Sequence, residues 1–171
     1  MRIYLVGFMG SGKSTLGRAV AEHYQVPFFG TDEEIETKEE MSVFDIFTDH
    51  GENYFRELEN EILKETTSSE KSIVATGGGL PCHDDNMNWI LQHGISIYLE
   101  WSIADIISNL RHEVSTRPIL AGFAPEQRER NIEALFNQRV PFYEKAALTI
   151  EMTGEIEKDK AALIKACRYI W

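Results

Sequence analysis

Short apolar runs closed by glycine alternate along this chain with longer stretches whose apolar residues recur every three or four positions. Ile3-Tyr4-Leu5-Val6 is a run of the first kind, ended by Gly7. It predicts a strand buried on both faces. From Ser14 to Tyr24 the positions Leu16, Val20 and Tyr24 carry helical spacing. Val26-Pro27-Phe28-Phe29 reads as a second strand, and Asp32 to Glu40 as a polar helix. Ser42 to Phe47 predicts a short helix with Val43, Phe44 and Phe47 on one side, broken by Gly51. Helical spacing resumes from Asn53 to Thr66, with Phe55, Leu58 and Ile62 as the buried stripe. Ile73-Val74-Ala75 is a third strand, closed by Gly77-Gly78-Gly79.

The second half repeats the pattern. Asp84 to His93 predicts a helix stopped by Gly94, and Ile95 to Leu99 a fourth strand. Ser102 is a good N-cap for a helix to Arg111. A polar stretch with Pro118, Gly122 and Pro125 leads into a long helix from Glu126 toward Val140. Leu148-Thr149-Ile150 is a fifth strand, and a final helix runs from Glu155 to Tyr169. Strands alternating with helices predict a three-layer α/β/α sandwich around a five-stranded parallel sheet with right-handed crossovers. In such sheets ligands sit beyond the carboxyl ends of the strands, and each glycine-rich segment falls at such an end. No repeat or linker divides the 171 residues, so a single domain over 1–171 is expected.

Composition narrows the function. Lys plus Arg number 17 against 28 Asp plus Glu, a net charge of −11. So acidic a chain repels nucleic acid and anionic membrane. Any anionic ligand must be held by locally placed cations and backbone N–H groups. The two cysteines, Cys82 and Cys167, lie far apart and make no disulfide framework. With no signal peptide or membrane span legible, a cytoplasmic monomer is expected.

Gly7-Phe8-Met9-Gly10-Ser11-Gly12-Lys13-Ser14 matches G-x-x-x-x-G-K-[ST] at every fixed position, between a strand and a helix. Glycines let the backbone curl into an anion nest, and the following helix adds its positive end. Lys13 can reach the β- and γ-phosphates, and the Ser14 hydroxyl can ligate Mg²⁺. Gly10, Ser11, Gly12, Lys13, Ser14 and Thr15 are therefore candidate nucleotide-binding residues. The motif says that nucleotide phosphate is bound, not where it goes.

Five further segments follow in order: GTDEEIE (30–36), GENYFRELE (51–59), TGGGLP (76–81), TRPIL (116–120) and QRVPFY (138–143). With GFMGSGKST, this ordered set resembles the shikimate kinase family, of the nucleoside-monophosphate-kinase-like P-loop fold. The resemblance spans nearly the whole chain and is weakest after about residue 145. It implies transfer of the γ-phosphoryl group of ATP, with Mg²⁺, to the 3-hydroxyl of shikimate. It implies that Asp32 binds the acceptor hydroxyls, where a carboxylate can also accept the proton. It further implies that Arg56 and Arg139 grip the substrate carboxylate and that Gly77, Gly78 and Gly79 approach the substrate. Residues 112–124 would be a mobile lid bearing Arg117 to the phosphates, residues 31–66 would carry the substrate-binding helices, and Arg111 would stack on adenine, with Arg128 and Arg130 as rivals.

Plainer readings stand beside these. Asp32 could be a helix N-cap, Arg56 an i,i+4 partner of Glu52, and Arg139 a cation at a helix C-terminus. One position departs from the family pattern. Gly30 stands where a first aspartate of D-T-D is usual, a residue the family uses to hold Mg²⁺ through water, so weakened metal affinity is expected. A gluconate-type small-acid kinase, a monophosphate kinase and a regulatory nucleotide-binding protein remain alternatives.

Overall fold

The computed structural model describes residues 1–111 and 117–171. Five strands, β1 (Arg2–Val6), β2 (Phe28–Gly30), β3 (Ile73–Ala75), β4 (Gly94–Glu100) and β5 (Leu148–Glu151), form one sheet in the order β2-β3-β1-β4-β5. Every pair is parallel. Pleating sends alternate side chains of β1 to opposite faces. Ile3 and Leu5 pack with Leu16, Val20, Ile97, Leu99 and Leu163 on one side. Tyr4 and Val6 pack with Leu63, Val74, Ile90 and Tyr98 on the other. Both faces are thus covered, as parallel sheets require.

Eight α-helices complete the described chain. They are α1 (Lys13–Tyr24), α2 (Thr31–Glu39), α3 (Val43–Glu65), α4 (Asn86–His93), α5 (Ile103–Leu110), α6 (Pro118–Ala121), α7 (Arg128–Tyr143) and α8 (Ile156–Arg168). The two helices expected on either side of Gly51 are continuous except at Gly51 itself, whose φ of 83° interrupts α3. Its amino-terminal end is capped by Ser42, which accepts from the Asp45 N–H. A third, separate cluster of Ile35, Ile46, Phe55, Leu58 and Ile62 joins α2 to α3 beside the sheet.

Two boundaries differ from the sequence reading. Gly94 opens β4 directly, so α4 turns into the strand with no loop between. The long helix does not stop before Pro141 but runs through it to Tyr143. A proline in the last turn removes only one intrahelical bond. Burial of Arg139 and Tyr143 holds that turn in place. Of the proposed lid, residues 112–116 lie outside the described residues. From Arg117 onward the chain forms α6, a 3₁₀ turn at Pro125–Gln127, and then α7.

Ser102 caps α5 as its sequence position suggested, accepting from the Asp105 N–H at 3.2 Å. Ser102→Ala is expected to destabilise the fold by about 1 kcal/mol. Urea unfolding should show this as a lower midpoint at unchanged slope; an unmoved midpoint would remove the cap from the account.

Candidate active site

The phosphate loop leaves β1 and enters α1 through Gly12, whose left-handed φ of 78° favours a residue without a side chain. The loop is braced from outside. Trp101 donates from Nε1 to the Ser11 carbonyl at 3.1 Å, and Asn109 donates from Nδ2 to the Gly10 carbonyl at 3.2 Å. Lys13 is buried. Its ammonium donates to Gly7 O, Phe8 O and Ser11 Oγ at 2.9, 2.7 and 3.1 Å. Gly10, Gly12, Lys13, Ser14 and Thr15 line a cleft of about 370 Å³ whose far wall includes Asp32, Gly78 and Arg117. Ser11 lies buried beneath the cleft.

A second cavity, about 230 Å³, opens beside this cleft. Asp32, Arg56, Gly77, Gly78, Gly79, Arg117 and Arg139 all line it, so the structure brings together every residue expected to meet an acceptor. Asp32, Gly78 and Arg117 line both spaces and so stand at the boundary between them. Val43, Phe47, Phe55, Pro118 and Ile119 provide apolar walls.

Charge in this cavity is arranged unevenly. Arg56 donates from Nη1 to Glu59 at 2.6 Å and from Nη2 to Glu52 at 2.7 Å. The i,i+4 pair anticipated for Arg56 is therefore real, and it aims the guanidinium into the cavity. Arg139 is 6% exposed, and its Nη1 has no hydrogen-bond partner among the described residues. Asp32 shows the converse, a shielded Oδ1 with no donor among the described residues. Burial raises the Asp32 carboxyl above its ordinary value, opposed by Lys13, Arg117 and Arg56. Buried polar atoms are normally paired, so an unmatched donor and acceptor in one cavity mark where a ligand's groups belong.

The three glycines admit this crowding. A Cβ on Gly77 would meet the Asp32 and Glu59 carboxylates at 2.5 and 2.6 Å, and one on Gly79 would meet Arg56 Nη1 at 2.6 Å. The Gly77 N–H is fixed by Thr31 Oγ1 at 2.7 Å, which ties the ends of β2 and β3 together.

Three residues escaped the sequence reading. Glu59 is 1% exposed, and its carboxyl is pushed up to about 7 by burial, with Asp32 adding to the effect and Arg56 opposing it. Its spacing three residues after Arg56 was the available signal. The Thr31 and Tyr143 hydroxyls bond backbone far off in the sequence, which no local pattern discloses. Arg111 lies apart from both spaces. It faces Glu129 at 3.9 Å beside a separate cavity between α5 and α7 that Arg128 also lines.

A parallel sheet in this order, a phosphate loop on its central strand and an acceptor cavity beside that loop define a P-loop phosphotransferase. A family model described as "Shikimate kinase" matches residues 9–168. The shikimate kinase of Parabacteroides distasonis is 37% identical over 150 residues, covering 88% of this chain and 87% of that protein. The shikimate kinase structure from Bacteroides thetaiotaomicron superposes with a TM-score of 0.87 at 34% identity, covering 98% of each chain. The one from Acinetobacter baumannii, in complex with shikimate, gives 0.88 at 33% identity, covering 98% of this chain and 93% of that one. The chain belongs to the shikimate kinase family.

Glu59 makes stability depend on pH. Its folded carboxyl titrates near 7 against an ordinary 4.5, so between those values the native state keeps a proton that the unfolded chain has lost. The contribution of Glu59 to stability therefore falls as pH rises through this window. Glu59→Gln should flatten the change in urea midpoint between about pH 5 and pH 7. Parallel profiles for the two proteins would contradict the assignment.

Proposed function

We propose that this chain transfers the γ-phosphoryl group of ATP to the 3-hydroxyl of shikimate, giving 3-phosphoshikimate and ADP. The observation that carries the reading is the pairing of an unmatched Asp32 Oδ1 with an unmatched Arg139 Nη1 in one cavity next to the phosphate loop. A small ring bearing both hydroxyls and a carboxylate answers both. Its carboxylate completes Arg139 and Arg56, since guanidinium groups suit carboxylates. Its acceptor hydroxyl donates to Asp32, which orients it and takes its proton as the phosphoryl group arrives. The apolar walls of Val43, Phe47 and Phe55 exclude water from the ring. A cytoplasmic monomer is part of the same proposal; both cysteines are free thiols, and no helix among the described residues is long and apolar enough to cross a membrane.

Lys13 holds the phosphates from the loop side. Arg117 meets them from the other, where a cation stabilises charge developing in transfer. The segment 112–124 acts as the lid carrying Arg117. Arg111 supports the adenine. The Ser14 hydroxyl lines the phosphate cleft and is an oxygen donor suited to a hard divalent cation such as Mg²⁺. When bound, that ion neutralises charge on the β- and γ-phosphoryl oxygens.

ADP release in a coupled assay tests the reading. Turnover with ATP and Mg²⁺ should depend on added shikimate. Arg139→Ala should raise the KM for shikimate by at least about tenfold, the cost of losing a charge-assisted pair. Asp32→Asn should lower kcat by about a hundredfold or more. Shikimate-independent turnover would point to a different acceptor.

Gly30 gives a separate test. A Cβ there would meet the Glu33 carboxylate at 3.0–3.2 Å, and Glu33 is itself paired with Arg18. Gly30→Asp alone would crowd two carboxylates together. Gly30→Asp with Glu33→Ala should lower the Mg²⁺ needed for half-maximal rate; an unmoved requirement places residue 30 away from the metal.

A further inference from the structure

Tyr143 is fully buried on α7, one turn beyond Arg139. Its ring packs against Tyr98 at 5.5 Å between centroids. Its hydroxyl donates to the carbonyl oxygen of Gly78 at 2.5 Å. That carbonyl belongs to the peptide joining Gly78 to Gly79. No peptide bond in the described chain is cis. In a trans peptide the C=O and N–H point in opposite directions. A carbonyl drawn down to Tyr143 therefore turns the Gly79 N–H the other way, toward the cavity that Gly78 and Gly79 line. The Gly79 N–H meets no hydrogen-bond acceptor among the described residues. Gly79 also lies directly beneath the Arg56 guanidinium, within reach of anything that guanidinium holds.

Without a fixed carbonyl, a peptide flanked by two glycines could rotate at little steric cost. We propose that Tyr143 is a positioning residue for the acceptor: by holding the Gly78 carbonyl it aims the Gly79 N–H at the substrate carboxylate, as a third donor beside Arg56 and Arg139. The inference rests on the acceptor reading above. Helix α7 then sets two of the three donors, Arg139 by its own side chain and Gly79 through Tyr143. Burial holds the Tyr143 hydroxyl well above its ordinary value, so it stays a proton donor throughout the neutral range.

Tyr143→Phe removes the hydroxyl and keeps the ring. The KM for shikimate should rise by about fivefold, while the KM for ATP moves by less than about twofold. Calorimetric binding of shikimate in the absence of nucleotide should weaken by the same factor. The melting temperature should fall by no more than about 4 °C, as one lost hydrogen bond allows. A purely structural tyrosine would lower the melting temperature and leave the two KM values in their original ratio; that result overturns the proposal. A shikimate KM within twofold of wild type does the same. Wild-type protein with no shikimate-dependent turnover would instead bring down the acceptor reading, and this inference with it.

Discussion

A buried ionised side chain costs several kcal/mol unless its neighbours answer the charge. Here the answering groups converge on the ends of β2 and β3. Lys13, Arg56, Arg117 and Arg139 face Asp32, Glu52 and Glu59 around one pair of spaces. With Glu36, which also lines the smaller of these spaces, four carboxylates answer four cations. The surrounding architecture follows from this convergence. Three glycines in succession let the charged side chains crowd against backbone. The Thr31 hydroxyl pins the first of those glycines, and Tyr143 pins the carbonyl of the second. A chain with a net charge of −11 thereby gathers four of its cations around this pair of spaces, and acidity elsewhere does not prevent it from holding anions.

Nearly all of the fold was legible because a parallel sheet buried on both faces leaves an unmistakable trace. Ile3 to Val6, Ile73 to Ala75 and Ile95 to Leu99 are apolar throughout, and each ends at or near a turn. Where reading and structure part, a local rule met a tertiary one. Pro141 signals a helix end, yet packing of Arg139 and Tyr143 carries α7 past it. Gly94 signals a stop, yet the chain has only to turn into the sheet.

The site was legible to a different depth. Residues that act through a motif, such as Lys13 and Ser14, could be found from spacing. Asp32, Arg56 and Arg139 came from the ordered resemblance, and the structure gathers them around one cavity. Thr31 and Tyr143 could not be found this way, because each hydroxyl works on backbone distant in sequence, and Glu59 left only its spacing after Arg56 as a trace. The unmatched atoms on Asp32 and Arg139 belong to the same class. Absence of a partner is a three-dimensional fact with no sequence signature.

The satellite cluster between α2 and α3 has a thermodynamic consequence. Ile35, Ile46, Phe55, Leu58 and Ile62 form a core of their own, smaller than either core of the sheet. Regions with few buried apolar contacts open at lower free energy than the body of a domain. The cavity lined by Asp32 spans this seam, with Arg56 on the α3 side and Arg139 and the glycines on the other. A molecule bound there becomes a temporary crosslink between two cooperative units. Slowed amide exchange across α2 and α3 is then a property of the occupied site, and the protein's local rigidity follows the concentration of its ligand.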